Sequence, residues 1–311
     1  MSYDLMDINM RAQIDPQAFV NECDDIYQYK IEKAADMITE SMHISPIVLL
    51  SGPSGSGKTT TALKIEEELC RRGIMSHSIA MDNYFKTLSF EDSPKTPEGD
   101  YDYESPLCLD MELLIEHFDM LGKGKRIFVP KYEFSRQMRI MEPSKSLRVG
   151  ENEIVIFEGI HALNKRITDA YPAAFKLYIS ARSDILNNGE VFFEGSWMRL
   201  IRRLVRDDLF RGASVLTTLG MWPNVRLGEK HNISPFKNTA NLMFDSTLPY
   251  EVCVLKGYIK NLVKSIPDEI KCSQPLSEIL PALELFAGIN SDYLSSESLL
   301  REFIGGSSYG L

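Results

Sequence analysis

The octet Gly52, Pro53, Ser54, Gly55, Ser56, Gly57, Lys58, Thr59 constrains this chain more than any other feature. It satisfies GxxxxGK[ST] at every fixed position, with an apolar run (PIVLLS) over 46–51 before it and helical spacing over 58–72 after it. Glycines let successive backbone N–H groups converge on phosphate oxygens, and the N-terminus of the following helix adds positive potential. In such a cradle Lys58 reaches the β- and γ-phosphates of ATP and the Thr59 hydroxyl ligates Mg²⁺, with Thr60 next along the helix. A chance Gly/Ser turn explains strand, motif and helix together poorly. The motif is silent about what receives the phosphate.

Short apolar runs alternate with helical patterns around the cradle. Strands are predicted over 78–81, 126–129, 153–157 (EIVIF) and 175–179 (FKLYI), and a helix over 110–121. The stretch 91–106, rich in Pro, Asp and Glu, reads as an exposed loop. This alternation predicts an α/β fold of P-loop NTPase type, a mostly parallel sheet with helices on both faces. Upstream, 16–42 reads as one amphipathic helix. Pro16 follows Asp15 in cap-then-proline order, and Phe19, Cys23, Ile26, Ile31, Ala34 and Ile38 recur at helical spacing. Helical spacing returns near 251–265 and 275–287. The predicted organisation is a helical extension over 1–45, a P-loop domain over 46–250 with an arginine-bearing lid near 196–232, and a second helical extension over 251–311. The REFIGG segment near the end carries no chemistry that spacing reveals.

Composition narrows the partners. Lys and Arg total 34 against 44 Asp and Glu, a net charge of −10 that argues against long nucleic acid or an anionic membrane. A small anionic ligand responds to local charge and stays compatible. The cysteines (Cys23, Cys70, Cys108, Cys253, Cys272) form no CxxC pair, which predicts neither disulfide framework nor zinc site and fits a reducing cytoplasm. No segment approaches the roughly 20 apolar residues of a membrane span. A homo-oligomer is left open, with the N-terminal helix and the C-terminal tail as candidate contact surfaces.

Ligands of an open parallel sheet sit beyond the carboxyl ends of its strands. Asp82 closes the second strand candidate (SIAMD), expected to neighbour the P-loop strand, and there it could accept a proton from a hydroxyl. Read alone, an aspartate after a strand is more often a turn former. Glu158 ends the run 154–157, expected beside the P-loop strand, and is positioned to hold Mg²⁺ directly or through water, with a helix-capping or structural acid as the alternative. Glu104, by pattern alone, is a solvated loop charge. The segment 199–206 (RLIRRLVR) places Arg199, Arg202, Arg203 and Arg206 within roughly 100° of helix circumference, opposite Leu200, Ile201, Leu204 and Val205. Such a stripe, with Arg211 after it, is a clamp for developing phosphoryl charge or a set of ion pairs with Asp207 and other acids; the P-loop favours the clamp.

GPSGSGKTT, MDNYF, YDYESP, PKYEF, FEGIHAL and RLIRRLVRDDLFRG with MWPNVRLGEK, in this order, resemble the uridine kinase and phosphoribulokinase family, bacterial nucleoside kinases of the uridine kinase type in particular. The resemblance covers about 46–250, and the tail SSESLLREFIGG looks like the ending of those bacterial proteins. It implies that Asp82 is the base for a ribose 5′-hydroxyl, Glu158 the Mg²⁺-associated acid and Glu104 the ligand of the ribose hydroxyls. It places Tyr132 against the nucleobase, Arg203 on the substrate side, and Arg206 and Arg211 in a lid near the ATP phosphates. Two positions depart from the pattern: Gln137 stands where the family has a histidine against the pyrimidine edge, and Ser214 where it has a second substrate arginine. Relatives often carry an extra N-terminal module; with about 45 residues before the first strand, an N-terminal regulatory role is not expected.

The implied activity is ATP- and Mg²⁺-dependent phosphorylation of a nucleoside 5′-hydroxyl, uridine or cytidine first. The alternatives are a kinase of another small alcohol, such as a sugar phosphate or pantothenate, and a module that senses ATP without transferring anything.

Overall fold

The structure, a computed structural model, describes residues 2–310 except 90, 97, 98, 100, 134 and 135. Its centre is a parallel sheet. The strands are β1 (Ser2–Asp4), β2 (Ile47–Ser51), β3 (Met75–Ala80), β4 (Ile127–Glu133), β5 (Met138–Leu147), β6 (Glu153–Glu158), β7 (Phe175–Ser180), β8 (Asp184–Asn187), β9 (Glu190–Phe193) and β10 (Leu242–Asp245). Among the described residues five of them form the main sheet in the order β10-β7-β2-β6-β3, every pairing parallel. β2 is buried at every position because both of its faces are covered. Val48 and Leu50 join one apolar cluster and Ile47 and Leu49 the other, and β6 divides Ile154 and Ile156 from Val155 and Phe157 in the same way. The α/β expectation is met.

The helices are α1 (Leu5–Ile14), α2 (Pro16–Ser41), α3 (Lys58–Arg71), α4 (Met111–Gly122), α5 (Lys165–Ala170), α6 (Gly195–Phe210), α7 (Val215–Gly228), α8 (Glu251–Leu262), α9 (Asp268–Lys271), α10 (Leu276–Glu284) and α11 (Arg301–Ile304). α2 begins as its sequence dictates: the Asp15 carboxylate accepts from Ala18 N at 3.0 Å and Pro16 fills the first turn. Its buried stripe includes Tyr27, whereas Ile26 is 50% exposed, one position out from the predicted phase. The Tyr27 hydroxyl meets Thr61 Oγ1 at 2.6 Å, so α2 lies directly along α3.

Several local readings are corrected. The strand expected over 126–129 is β4, which runs to Glu133 and forms an antiparallel hairpin with β5 apart from the main sheet. β5 alternates few apolar residues and its exposed middle gave no pattern to read. The second strand starts at Met75 and ends at Ala80, so Asp82 lies past it, in a 3₁₀ turn over Met81–Tyr84. Helix α1, capped by Asp4 through Met6 N and Asp7 N, was not predicted. No helix among the described residues is long and apolar enough to cross a membrane, and the five cysteines are free.

Candidate active site

The carboxyl ends of the central strands are in register. Leu50 lies beside both Glu158 and Leu177, and Ala80 lies beside Glu158. The loop after β2, the turn after β3 and the Glu158 side chain therefore emerge on one edge. β3 is separated from β2 by β6, so Glu158, and not Asp82, comes from the strand adjoining the P-loop strand. The expected place of Glu158 beside the P-loop strand is met, and the expectation that the strand before Asp82 neighbours it directly is corrected.

Between β2 and α3 the loop turns tightly against its surroundings. A Cβ on Gly52 would stand 2.0 Å from the Ile179 carbonyl oxygen of β7, a distance no side chain tolerates. Gly57 takes a left-handed φ of 77° at the helix N-cap and has no side chain of its own to cap the first turn. Ser56 is fully buried and its carbonyl accepts from Ser246 Oγ at 2.6 Å. Lys58 Nζ lies 3.3 Å from the Pro53 carbonyl oxygen and 4.0 Å from Glu158 Oε1.

A cavity of about 380 Å³ opens over this loop. Its walls bring together Ser54, Gly55, Gly57, Lys58 and Thr59 with Asp82, Glu104, Glu158, Arg203, Arg206 and Arg211, residues up to 157 positions apart (Ser54 to Arg211). Phe85, Tyr103, Gly159, Ile160, Met221 and Glu302 complete the lining. Tyr132 and Gln137 do not line it. Tyr132 stands behind Phe85 with ring centroids 5.5 Å apart, and Gln137, at a left-handed φ of 52°, donates from Nε2 to the Tyr103 hydroxyl at 2.9 Å. Ser214 caps α7 through Thr217 N at 3.2 Å.

Burial sets the electrostatics. The Glu158 carboxyl is pushed up to about 7 by desolvation, against the pull of Lys58 and with the added repulsion of Asp82 and Glu302. Glu104 is likewise pushed up to about 7 by burial, against Arg203 and Lys58. The pattern reading of Glu104 as a solvated loop charge is thus wrong: the loop is pinned by Asn232, whose side-chain amide donates to the Glu104 carbonyl at 3.0 Å. Asp82, although exposed, is raised as well, desolvation by the surrounding protein outweighing the pull of Lys58 and Arg211. His161 is driven down to about 4 by burial and stays neutral at pH 7.

The arginine stripe of α6 is buried, not presented to solvent. Arg202 is fully enclosed and forked onto Glu251 at 2.5 and 2.8 Å, with further bonds to the carbonyls of Gly55 and Ser246. Arg199 pairs with Glu229 at 2.7 Å and donates to the Ser54 carbonyl at 3.2 Å. These two bind the outside of the P-loop and leave no guanidinium for a clamp, so a four-arginine clamp is ruled out. Arg203 and Arg206 face the cavity. Asp207 holds them at 3.1 and 2.7 Å and lies 3.8 Å from Arg211, while Arg203 also donates to Ser54 Oγ at 3.0 Å. Asp207, named in the sequence only as a competing ion-pair partner, is the post that aims the others.

Sequence reasoning missed Glu302. Its carboxylate accepts from Thr60 N at 3.1 Å and Thr60 Oγ1 at 2.7 Å, across 242 positions. No local signal could have found a contact of that span.

A family model described as "Phosphoribulokinase / Uridine kinase family" matches residues 47–252. The uridine kinase of Staphylococcus haemolyticus is 32% identical over 206 residues, covering 63% of this chain and 86% of that protein. That of Macrococcus caseolyticus is 31% identical, with 65% and 88% covered. The uridine kinase of Saccharomyces cerevisiae is 28% identical over 75% of this chain, which spans only 43% of that longer protein. Among solved structures, a fructose transport system kinase candidate from Silicibacter sp. TM1040 superposes with a TM-score of 0.51 at 18% identity, over 69% of this chain and 98% of that one. This last likeness is one of fold alone.

Proposed function

Because the chain belongs to the phosphoribulokinase / uridine kinase family, we propose that it transfers the γ-phosphoryl group of Mg·ATP to the 5′-hydroxyl of a nucleoside, uridine or cytidine first. One observation carries the reading: Lys58 and Thr59 of the phosphate cradle share a cavity with a carboxylate, Asp82, and with three arginines. A sensor that only binds ATP has no use for an acid that can take a proton from an acceptor.

In this reading the P-loop amides and Lys58 hold the polyphosphate, and Arg206 and Arg211 neutralise charge that grows on the transferred group. Asp82 accepts the hydroxyl proton as the oxygen attacks phosphorus and ADP leaves; its raised carboxyl makes it a stronger base than an ordinary aspartate. Glu104 and Arg203 orient the acceptor. The donor set suits Mg²⁺: a hydroxyl (Thr59) and a carboxylate (Glu158) are hard oxygen ligands on one cavity wall. No group of three or more His, Cys, Asp or Glu that could cage a metal exists among the described residues, so the ion would share its ligands with phosphate and water. Bound there, Mg²⁺ would supply charge neutralisation between the phosphates.

A second reading, a kinase of another small alcohol, draws on the two positions outside the lining. Neither Tyr132 nor Gln137 lines the cavity; each stands behind a lining aromatic, Phe85 or Tyr103.

An ADP-release assay across uridine, cytidine, adenosine, guanosine and non-nucleoside alcohols decides between them. Turnover with a pyrimidine nucleoside, lowered about 10²–10⁴-fold in Asp82→Asn with ATP binding intact, is expected. Robust turnover only with a sugar phosphate or pantothenate selects the second reading. No ADP above background with any acceptor sinks both.

A further inference from the structure

The end of the chain returns to the phosphate cradle. α11 is too short to matter as a helix, but its placement is firm. Phe303 is fully buried beneath the Arg202 guanidinium, 5.2 Å from ring centroid to carbon, and Leu299 packs on Gly57 where a Cβ would meet it at 2.5 Å. Arg301 ties the turn down by donating to the carbonyls of Leu294 at 2.8 Å and Ser291 at 3.0 Å. The backbone is thus fixed, and the half-buried Glu302 side chain is the part able to turn.

That side chain takes the donors a phosphate would need. Thr60 lies in the first turn of α3, where backbone N–H groups have no partner within the helix and attract anions. Glu302 Oε2 occupies both the Thr60 amide and its hydroxyl, and the same carboxylate lines the cavity with Lys58, Arg206 and Arg211. A polyphosphate seated on this helix end would bring a second anion against the first in a poorly solvated space, where like charges repel strongly.

We propose that Glu302 is a built-in competitor of the nucleotide: its carboxylate stands in for a phosphate on Thr60 and swings away when ATP binds. The proposal rests on the ATP reading given above and adds to it an autoinhibitory contact that sets nucleotide affinity. If the contact is made for most of the time, apparent affinity is reduced by the fraction of open chains.

Calorimetric binding of Mg·ATP and of inorganic tripolyphosphate to the full chain tests it, comparing wild type, Glu302→Gln and Glu302→Ala, with Lys58→Ala as the cradle control. Both Glu302 variants are expected to bind both probes about tenfold tighter or more, because the contact is to phosphate and not to the nucleoside. Unchanged or weaker binding overturns the competitor and makes Glu302 a helix cap. Equal binding by all Glu302 forms with loss in Lys58→Ala fails the competitor while leaving the ATP reading intact; no binding by any form fails both. A crystal structure of the wild-type protein with ATP decides the matter without a variant. A phosphate oxygen on the Thr60 amide with Glu302 turned out supports the proposal, and Glu302 still on Thr60 overturns it.

Discussion

Two halves of one arginine stripe behave differently. Arg199 and Arg202 lie on α6 beside Arg203 and Arg206, within the same arc, and all four are buried. Arg202 has a carboxylate of its own, Glu251, and neither side chain has any exposure; Arg199 has Glu229, which it shares with Arg226. Arg203, Arg206 and Arg211 share the single carboxylate of Asp207. The first pair fixes the P-loop backbone through the carbonyls of Ser54 and Gly55. The second group keeps surplus positive charge turned into the cavity. Position on a helix wheel does not separate the two; what each guanidinium faces, loop carbonyls or the cavity, does.

Breaking the comparison calls for opposite outcomes from neighbouring residues. Arg206→Ala is expected to lower kcat by about 10³-fold or more in steady-state assays, with little change in the urea midpoint. Arg202→Ala is expected to do the reverse, losing about 3–5 kcal/mol of stability by leaving Glu251 buried and unpaired. The double change Arg202→Met with Glu251→Leu should recover most of that loss in the same denaturation experiment. If Arg206→Ala unfolds the chain and Arg202→Ala only slows it, the division drawn here is wrong.

The acidic wall sharpens the same contrast. Glu158 has no guanidinium of its own, only Lys58 at 4.0 Å, and its carboxyl rises from 4.5 to about 7. Between those values the folded chain keeps a proton that the unfolded chain has released, so stability falls as pH rises through the window. Glu158→Gln should flatten the decline between pH 5 and 7.5 by roughly 2 kcal/mol, read from urea midpoints at each pH. The smallest effect is expected at Arg211, whose side chain is 60% exposed and only 3.8 Å from Asp207: Arg211→Ala should cost about tenfold in kcat.

Much of the frame was legible. The P-loop, the buried strands β2, β6 and β7 and the capped start of α2 each depend on residues close in sequence, and each lies within a few positions of its prediction. Lys58, Asp82, Glu158, Arg203, Arg206 and Arg211 were picked out by motif and spacing, Glu104 only by the family resemblance, and all of them line one cavity. The hairpin of β4 and β5 was half seen because its second strand is largely exposed and carries no alternation to read.

What the sequence alone determined is the backbone chemistry of the cradle and the two periodicities, 2 and 3.6, that make a covered parallel sheet. Those follow from local sterics and hydrogen bonding. Tertiary structure decided the rest: which arginines are tied to the P-loop, that Glu104 is half-buried on the cavity wall, and that Glu302 reaches Thr60 from 242 positions away. Charge pairing and desolvation depend on distance in space, and a one-dimensional pattern holds no record of that distance.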